Sequence, residues 1–97
     1  MSFEIRFSPK AEDTFDAVVD QLTLKWGDKY VNKFKLKATA SIKLIAQTPL
    51  IYPIAKENPS SRKCVLHKNC SMYYRVNGNI VEVLYFWDNR QDPITFP

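Results

Sequence analysis

The sequence predicts an α+β fold: an N-terminal strand, then two antiparallel helices packed on one face of an antiparallel sheet of about four strands. Three observations predict it. Residues 3–7 alternate, with Phe3, Ile5 and Phe7 on one side and Glu4 and Arg6 on the other. Residues 9–48 then carry apolar side chains at helical spacing, interrupted once by Gly27. Residues 62–87 form three apolar-rich runs around Asn77-Gly78, a dipeptide suited to the positive φ angles of a tight hairpin.

Each element carries its own signals. Ser8-Pro9 offers an N-cap followed by the residue best suited to the first helical position. Glu12 and Asp13 then meet the positive end of the helix dipole. Ala11, Phe15, Val18, Val19, Leu22 and Trp26 form the buried stripe of the first helix, and Gly27 is its stop. Asp28 is expected to cap the second helix, whose stripe is Tyr30, Val31, Phe34, Ala38, Ile42 and Ile45. Leu36, Ala40 and Leu44 form a weaker stripe, read as helix–helix contact. Lys29, Lys33, Lys37 and Lys43 are read as a solvated face. The helix should end near Thr48-Pro49. Leu50 to Ser61, with Pro53 and Pro59, is a long connecting loop, a place where function often sits.

The strands are expected at Arg62–His67, Cys70–Val76 and Ile80–Trp87. With Asn77-Gly78 as the turn, Arg75 faces Ile80 and Tyr73 faces Glu82. With Lys68-Asn69 as the preceding turn, Cys64 faces Tyr73 and Cys70 faces His67. Strict alternation then puts Cys70, Met72, Tyr74, Val76, Val81, Val83, Tyr85 and Trp87 under the helices. Arg62, Cys64, Leu66, Ser71, Tyr73, Arg75, Glu82, Leu84 and Phe86 share the opposite, open face. Arg62 and Arg75 fall opposite one another there, like charges that want an anion or Glu82 between them. Leu66, Leu84 and Phe86 would leave an apolar patch, the mark of an interaction site.

Bulk properties bound the rest. With 97 residues, 45% of them hydrophobic and 25% charged, residues 1–97 are read as a single domain of ordinary composition. The formal charge of +4 is uneven. Residues 1–28 hold three basic and six acidic groups (−3), and residues 29–97 hold eleven and four (+7). A basic body attracts nucleic acid or an acidic protein. No apolar run is long enough to span a bilayer and residues 1–6 do not resemble a secretory leader, so cytoplasmic residence is expected. Cys64 and Cys70 are expected on opposite faces and unpaired, as suits a reducing compartment. With a single histidine, read as a surface edge residue, they make no metal cluster, and no cofactor is implied.

The segment Phe3-Glu4-Ile5-Arg6-Phe7-Ser8-Pro9-Lys10-Ala11, the strand Met72-Tyr73-Tyr74-Arg75-Val76 and the ending Ile80-Val81-Glu82-Val83-Leu84-Tyr85-Phe86-Trp87-Asp88-Asn89-Arg90-Gln91-Asp92-Pro93 together resemble the RelE/ParE superfamily of bacterial type II toxin–antitoxin modules. The likeness runs along essentially the whole chain. It implies the toxin of a plasmid-stabilisation-type module, neutralised by a cognate antitoxin. In the RelE branch the open sheet face cleaves messenger RNA on the ribosome without metal. It uses basic residues on the second and third strands, an arginine after the last strand and a late tyrosine. Such cleavage needs a base, an acid and cations around the developing charge.

Carried across, Arg62 and Arg90 match catalytic cations. Cys64 stands for a lysine, Ser71 for an arginine and Phe96 for the tyrosine. The ParE branch shares the fold, lacks that set and poisons DNA gyrase by binding, and these departures fit it better. Arg62, Tyr73, Arg75 and Arg90 are then the expected target contacts, and Leu66, Leu84 and Phe86 the antitoxin contacts. Alternatives are a RelE-like ribosome-dependent endoribonuclease, a non-toxic nucleic-acid-binding module and an inactive family member.

Overall fold

The computed structural model describes residues 2–67 and 70–88. In chain order the elements are β1 (Glu4–Phe7), α1 (Pro9–Trp26), α2 (Asp28–Gln47), β2 (Arg62–His67), β3 (Cys70–Asn77) and β4 (Ile80–Asp88). The sheet order is β1-β4-β3-β2. β2, β3 and β4 form the expected antiparallel meander, but β1 lies parallel to β4, so the sheet is mixed. The chain must leave β1, cross both helices and enter the sheet at the far edge, and only β4 returns beside β1.

The helices form where their signals stand. Ser8 caps α1 through its Oγ, which accepts from Ala11 N at 2.9 Å, and Pro9 opens the helix. Gly27, at φ 84°, ends α1 and also precedes α2, a backbone conformation that a side chain would strain. Asp28 is therefore the first helical residue of α2 and not its cap. Both expected stripes pack into one core, apart from Trp26, which is exposed and stacks on Tyr30 with ring centroids 5.5 Å apart. Leu36, Ala40 and Leu44, expected between the helices, are exposed instead.

Strict alternation fails twice in the sheet. The β3–β4 turn is Gly78-Asn79, with Asn77 paired to Ile80 and positive φ at Gly78 only, as a type II′ turn requires. Moving the turn one residue shifts the register by two, so Arg75 faces Glu82 and the faces near the turn keep their sense. Further on, Tyr73 pairs with Tyr85 and Tyr74 with Val83, which leaves Leu84 as a one-residue bulge in β4. Beyond it the faces exchange. Phe86 enters the core under the helices, edge-on to Phe15 at 5.1 Å, while Tyr85 and Trp87 turn to the other side.

A second irregularity lies between Val65 and His67. His67 pairs with Cys70 as expected, but Cys64 then faces Met72, and Arg62 faces Tyr74 instead of lying opposite Arg75. Cys64 and Leu66 are thus core residues on the helix side. Cys70 is in the same core, so the two free thiols share a face.

The first turns of α1 secure the β4 bulge. Ser8 N donates to Val83 O at 3.0 Å, and Ser8 Oγ donates to Leu84 O at 2.6 Å. Phe86 N donates to Thr14 Oγ1 at 2.8 Å. These bonds satisfy backbone groups at the point where the ladder is interrupted. Replacing Thr14 with Val leaves the Phe86 amide without this acceptor. We expect Thr14→Val to cost about 1–3 kcal/mol in urea unfolding, against roughly nothing for the exposed Thr23→Val.

Candidate binding face

The sheet face away from the helices was expected to be open, and its centre is closed. Tyr73 and Tyr85, across from one another, stack at 4.7 Å with their rings 27° apart, and both are buried. Ala55 from the long loop joins them in a second small core, with Leu84 and Trp87 packed against it. The loop is ordered by its own bonds. Ala55 N donates to Ser61 O, Ser61 N to Asn58 O, and Ile54 bridges to Arg62 beside the outer edge of β2.

Arg62 and Tyr74 anchor the start of the loop. Arg62 Nη1 donates to Tyr52 O at 2.8 Å and reaches Leu50 O at 3.4 Å, and Tyr74 Oη donates to Pro49 O at 2.7 Å. The guanidinium expected to bind phosphate is engaged with loop carbonyls.

Over the tyrosine pair lies a small charged network. Lys63 Nζ meets Glu57 Oε1 at 2.8 Å, and Tyr73 Oη donates to the same oxygen at 3.3 Å. Lys63 Nζ also stands 5.7 Å from the centre of the Tyr73 ring, and Lys10 Nζ 5.1 Å from that of Tyr85. The Lys63 hydrogen bond holds the Glu57 carboxyl below its usual range, and the same bond raises Lys63. Burial raises the Tyr73 and Tyr85 phenols. Every resolved shift here fixes the ordinary neutral-pH charge state more firmly. The Lys63–Glu57–Tyr73 bonds brace the loop against the sheet.

The sequence-predicted residues are therefore divided. Tyr73 and Arg75 lie on the expected face, Tyr73 sealed and Arg75 exposed in a 2.8 Å pair with Glu82. Such a surface pair contributes roughly 0–1 kcal/mol. Leu84 is half-buried at the bulge. Arg62 braces the loop from the Tyr74 side. Leu66 and Phe86 belong to the helix-side core, so they do not form an exposed patch on this face. Arg90 and Phe96 lie outside the described residues.

His67 is not a bare edge residue: its Nε2 is hydrogen-bonded to Tyr30 Oη, and the rings meet edge-on. Lys10, Ala55, Glu57, Lys63, Val65, Tyr85 and Trp87 are members of this face that sequence reasoning missed. Among the described residues no histidine, cysteine or carboxylate cluster could hold a metal, and no helix is long and apolar enough to cross a membrane.

On the helix side, a groove of about 650 Å³ opens between the N-terminal half of α1 and the C-terminal half of α2. Phe7, Phe15, Ala38, Ile42 and Phe86 line its apolar part. Glu12 and Asp16 from α1 and Lys35 from α2 belong to its polar part.

No family model and no curated protein matches the sequence. Solved structures do. A chain of the chromosomal ParDE toxin–antitoxin system from P. aeruginosa superposes with a TM-score of 0.74 and 20% identity, covering 90% of this chain and 96% of that one. A chain of the E. coli DinJ-YafQ toxin–antitoxin complex gives a TM-score of 0.60 at 10% identity, over 93% and 96%. One from the RelBE2 toxin–antitoxin complex of Mycobacterium tuberculosis gives 0.57 at 14%, over 91% and 99%. The strand, helix hairpin and mixed four-stranded sheet described above are thus the RelE/ParE toxin fold.

The Glu57–Lys63 network makes a pH prediction. The Glu57 pKa lies below 4.5 in the folded chain, so its stabilising contribution is complete above 4.5 and fades as pH falls through the lower folded value. The difference in urea midpoint between the parent and Glu57→Gln should therefore be constant near neutrality and narrow below pH 4.5. A gap that widens on acidification would contradict the assignment.

Proposed function

We propose that the chain is the toxin of a type II toxin–antitoxin module and that it acts by binding its target, in the manner of the gyrase-poisoning ParE branch, without cutting RNA. The observation that carries this reading is the state of the second sheet face. At its centre are two stacked tyrosines, capped by a loop and by a lysine already committed to Glu57. The fold likeness to a ParDE chain supports the same branch.

Contacts to the target would come from side chains that remain accessible around this closed centre: Arg75, Val65 and Ile54. Arg90 belongs to the same reading through the family pattern. A cognate antitoxin is the implied partner, and the cytoplasm the implied location.

A second reading keeps messenger RNA as the target. Its support is the placement of Lys63 on β2 beside Tyr73 on β3, a cation and an aromatic on strands where the ribonuclease branch carries its site. In that case the Glu57 loop would have to lift before RNA could enter.

Controlled expression in a bacterium without the antitoxin separates these outcomes. The proposal expects growth arrest with a DNA-damage response, intact messages, and inhibition of purified gyrase by the purified chain. Arg75→Glu should weaken that inhibition by roughly tenfold, the scale of losing a charged contact. Cleaved messages, abolished by Lys63→Ala, would move the assignment to the ribonuclease. Absence of arrest would remove both toxin readings in favour of a harmless nucleic-acid-binding module.

A further inference from the structure

The two helices present outer faces of opposite charge. On α1, Asp13, Asp16 and Asp20 are exposed together with Ala17 and with Leu24, which is 88% exposed. On α2, Lys29, Lys33 and Lys43 flank Leu36, Ala40 and Leu44, with Leu36 71% exposed. From Lys29 to Lys56 the chain has six lysines and no carboxylate. Among the described residues, none of these aspartates or lysines is held in an ion pair within the chain. Both faces point away from the sheet, side by side, because the same core holds the opposite stripes of both helices.

We propose that two copies of the chain associate through their helix layers, with the acidic face of α1 in each copy lying on the basic face of α2 in the other. Symmetry selects this arrangement. A twofold axis running along the helices within the interface sets α1 over α2 of the partner copy, acid on base, twice. An axis running across the helices would set α1 over α1 and α2 over α2, which like charges oppose. The helices diverge from the single residue Gly27, so Asp20, seven residues before it, and Lys33, six after it, stand at similar heights. They become partners across the axis in both halves of an isologous interface. Leu24, Leu36 and Leu44 supply apolar surface that the monomer leaves in water. A single acidic protein would match only the α2 half of this surface; a second copy matches both.

The test reads mass alone, so its outcome is separate from that of the growth assay. Sedimentation equilibrium of the purified full chain should show a species of about twice 11.3 kDa, its share falling as salt is raised. Asp20→Lys and Lys33→Glu should each weaken self-association by roughly tenfold or more, because each places like charges together at two equivalent contacts. Mixed in equal amounts, the two variants should associate again, since every contact then joins opposite charges. Unchanged thermal unfolding of the variants checks that the fold is intact. A monomer at all concentrations, reversals without effect, a mixture that fails to associate, or assembly only when an acidic polypeptide is added would each overturn the proposal.

Discussion

The structure depends on the contact between the start of α1 and the bulge in β4. A strand that gains one residue against its neighbour loses its ladder at that point, and its carbonyl and amide groups need other partners. Here Ser8 and Thr14 provide them, through bonds to Leu84 O and from Phe86 N. The same serine caps the helix that supplies it. Helix start and strand kink therefore stabilise one another. The extra residue also decides which aromatic goes where: Phe86 turns into the main core against Phe15, and Tyr85 goes to the opposite side.

That exchange accounts for the main difference between the face expected and the face found. The elements themselves were legible. Ser8-Pro9, Gly27, the two helical stripes and the glycine-containing hairpin each state a local preference that the tertiary structure accepts. Side-chain parity was legible only where polar residues mark it. Arg75 and Glu82 fix the outward face near the hairpin, but Leu84-Tyr85-Phe86-Trp87 contains no polar residue to reveal an inserted position. Between Arg62 and His67 the apolar Val65 stays exposed while Arg62 and His67 turn to the helix side, so the sequence has no clean alternation there either. Glu57 gave no signal at all, because its role depends on a loop returning over the sheet from beyond its edge.

Cations that look free in a sequence can already be engaged in the fold. Arg62 holds two loop carbonyls and Lys63 holds a loop carboxylate. Both tie residues 50–61 to the β2–β3 edge, and the tyrosine pair closes beneath. A face assembled in this way has firm charge states and limited access at its centre. Its exposed chemistry is on the rim, where Arg75 and isolated apolar side chains are available to another macromolecule.

The sulfur atoms of Cys64 and Cys70 lie on the helix-side core beside Met72, and neither residue is more than 2% exposed. Burial raises both thiols, that of Cys70 to about 12, which leaves almost no thiolate at neutral pH. An alkylating reagent can reach them only after part of the core opens, and the Cys64 thiol meets both Ser41 of α2 and Tyr52 of the connecting loop. Its modification would therefore act as a clock on whichever of the two parts first, helix layer or loop.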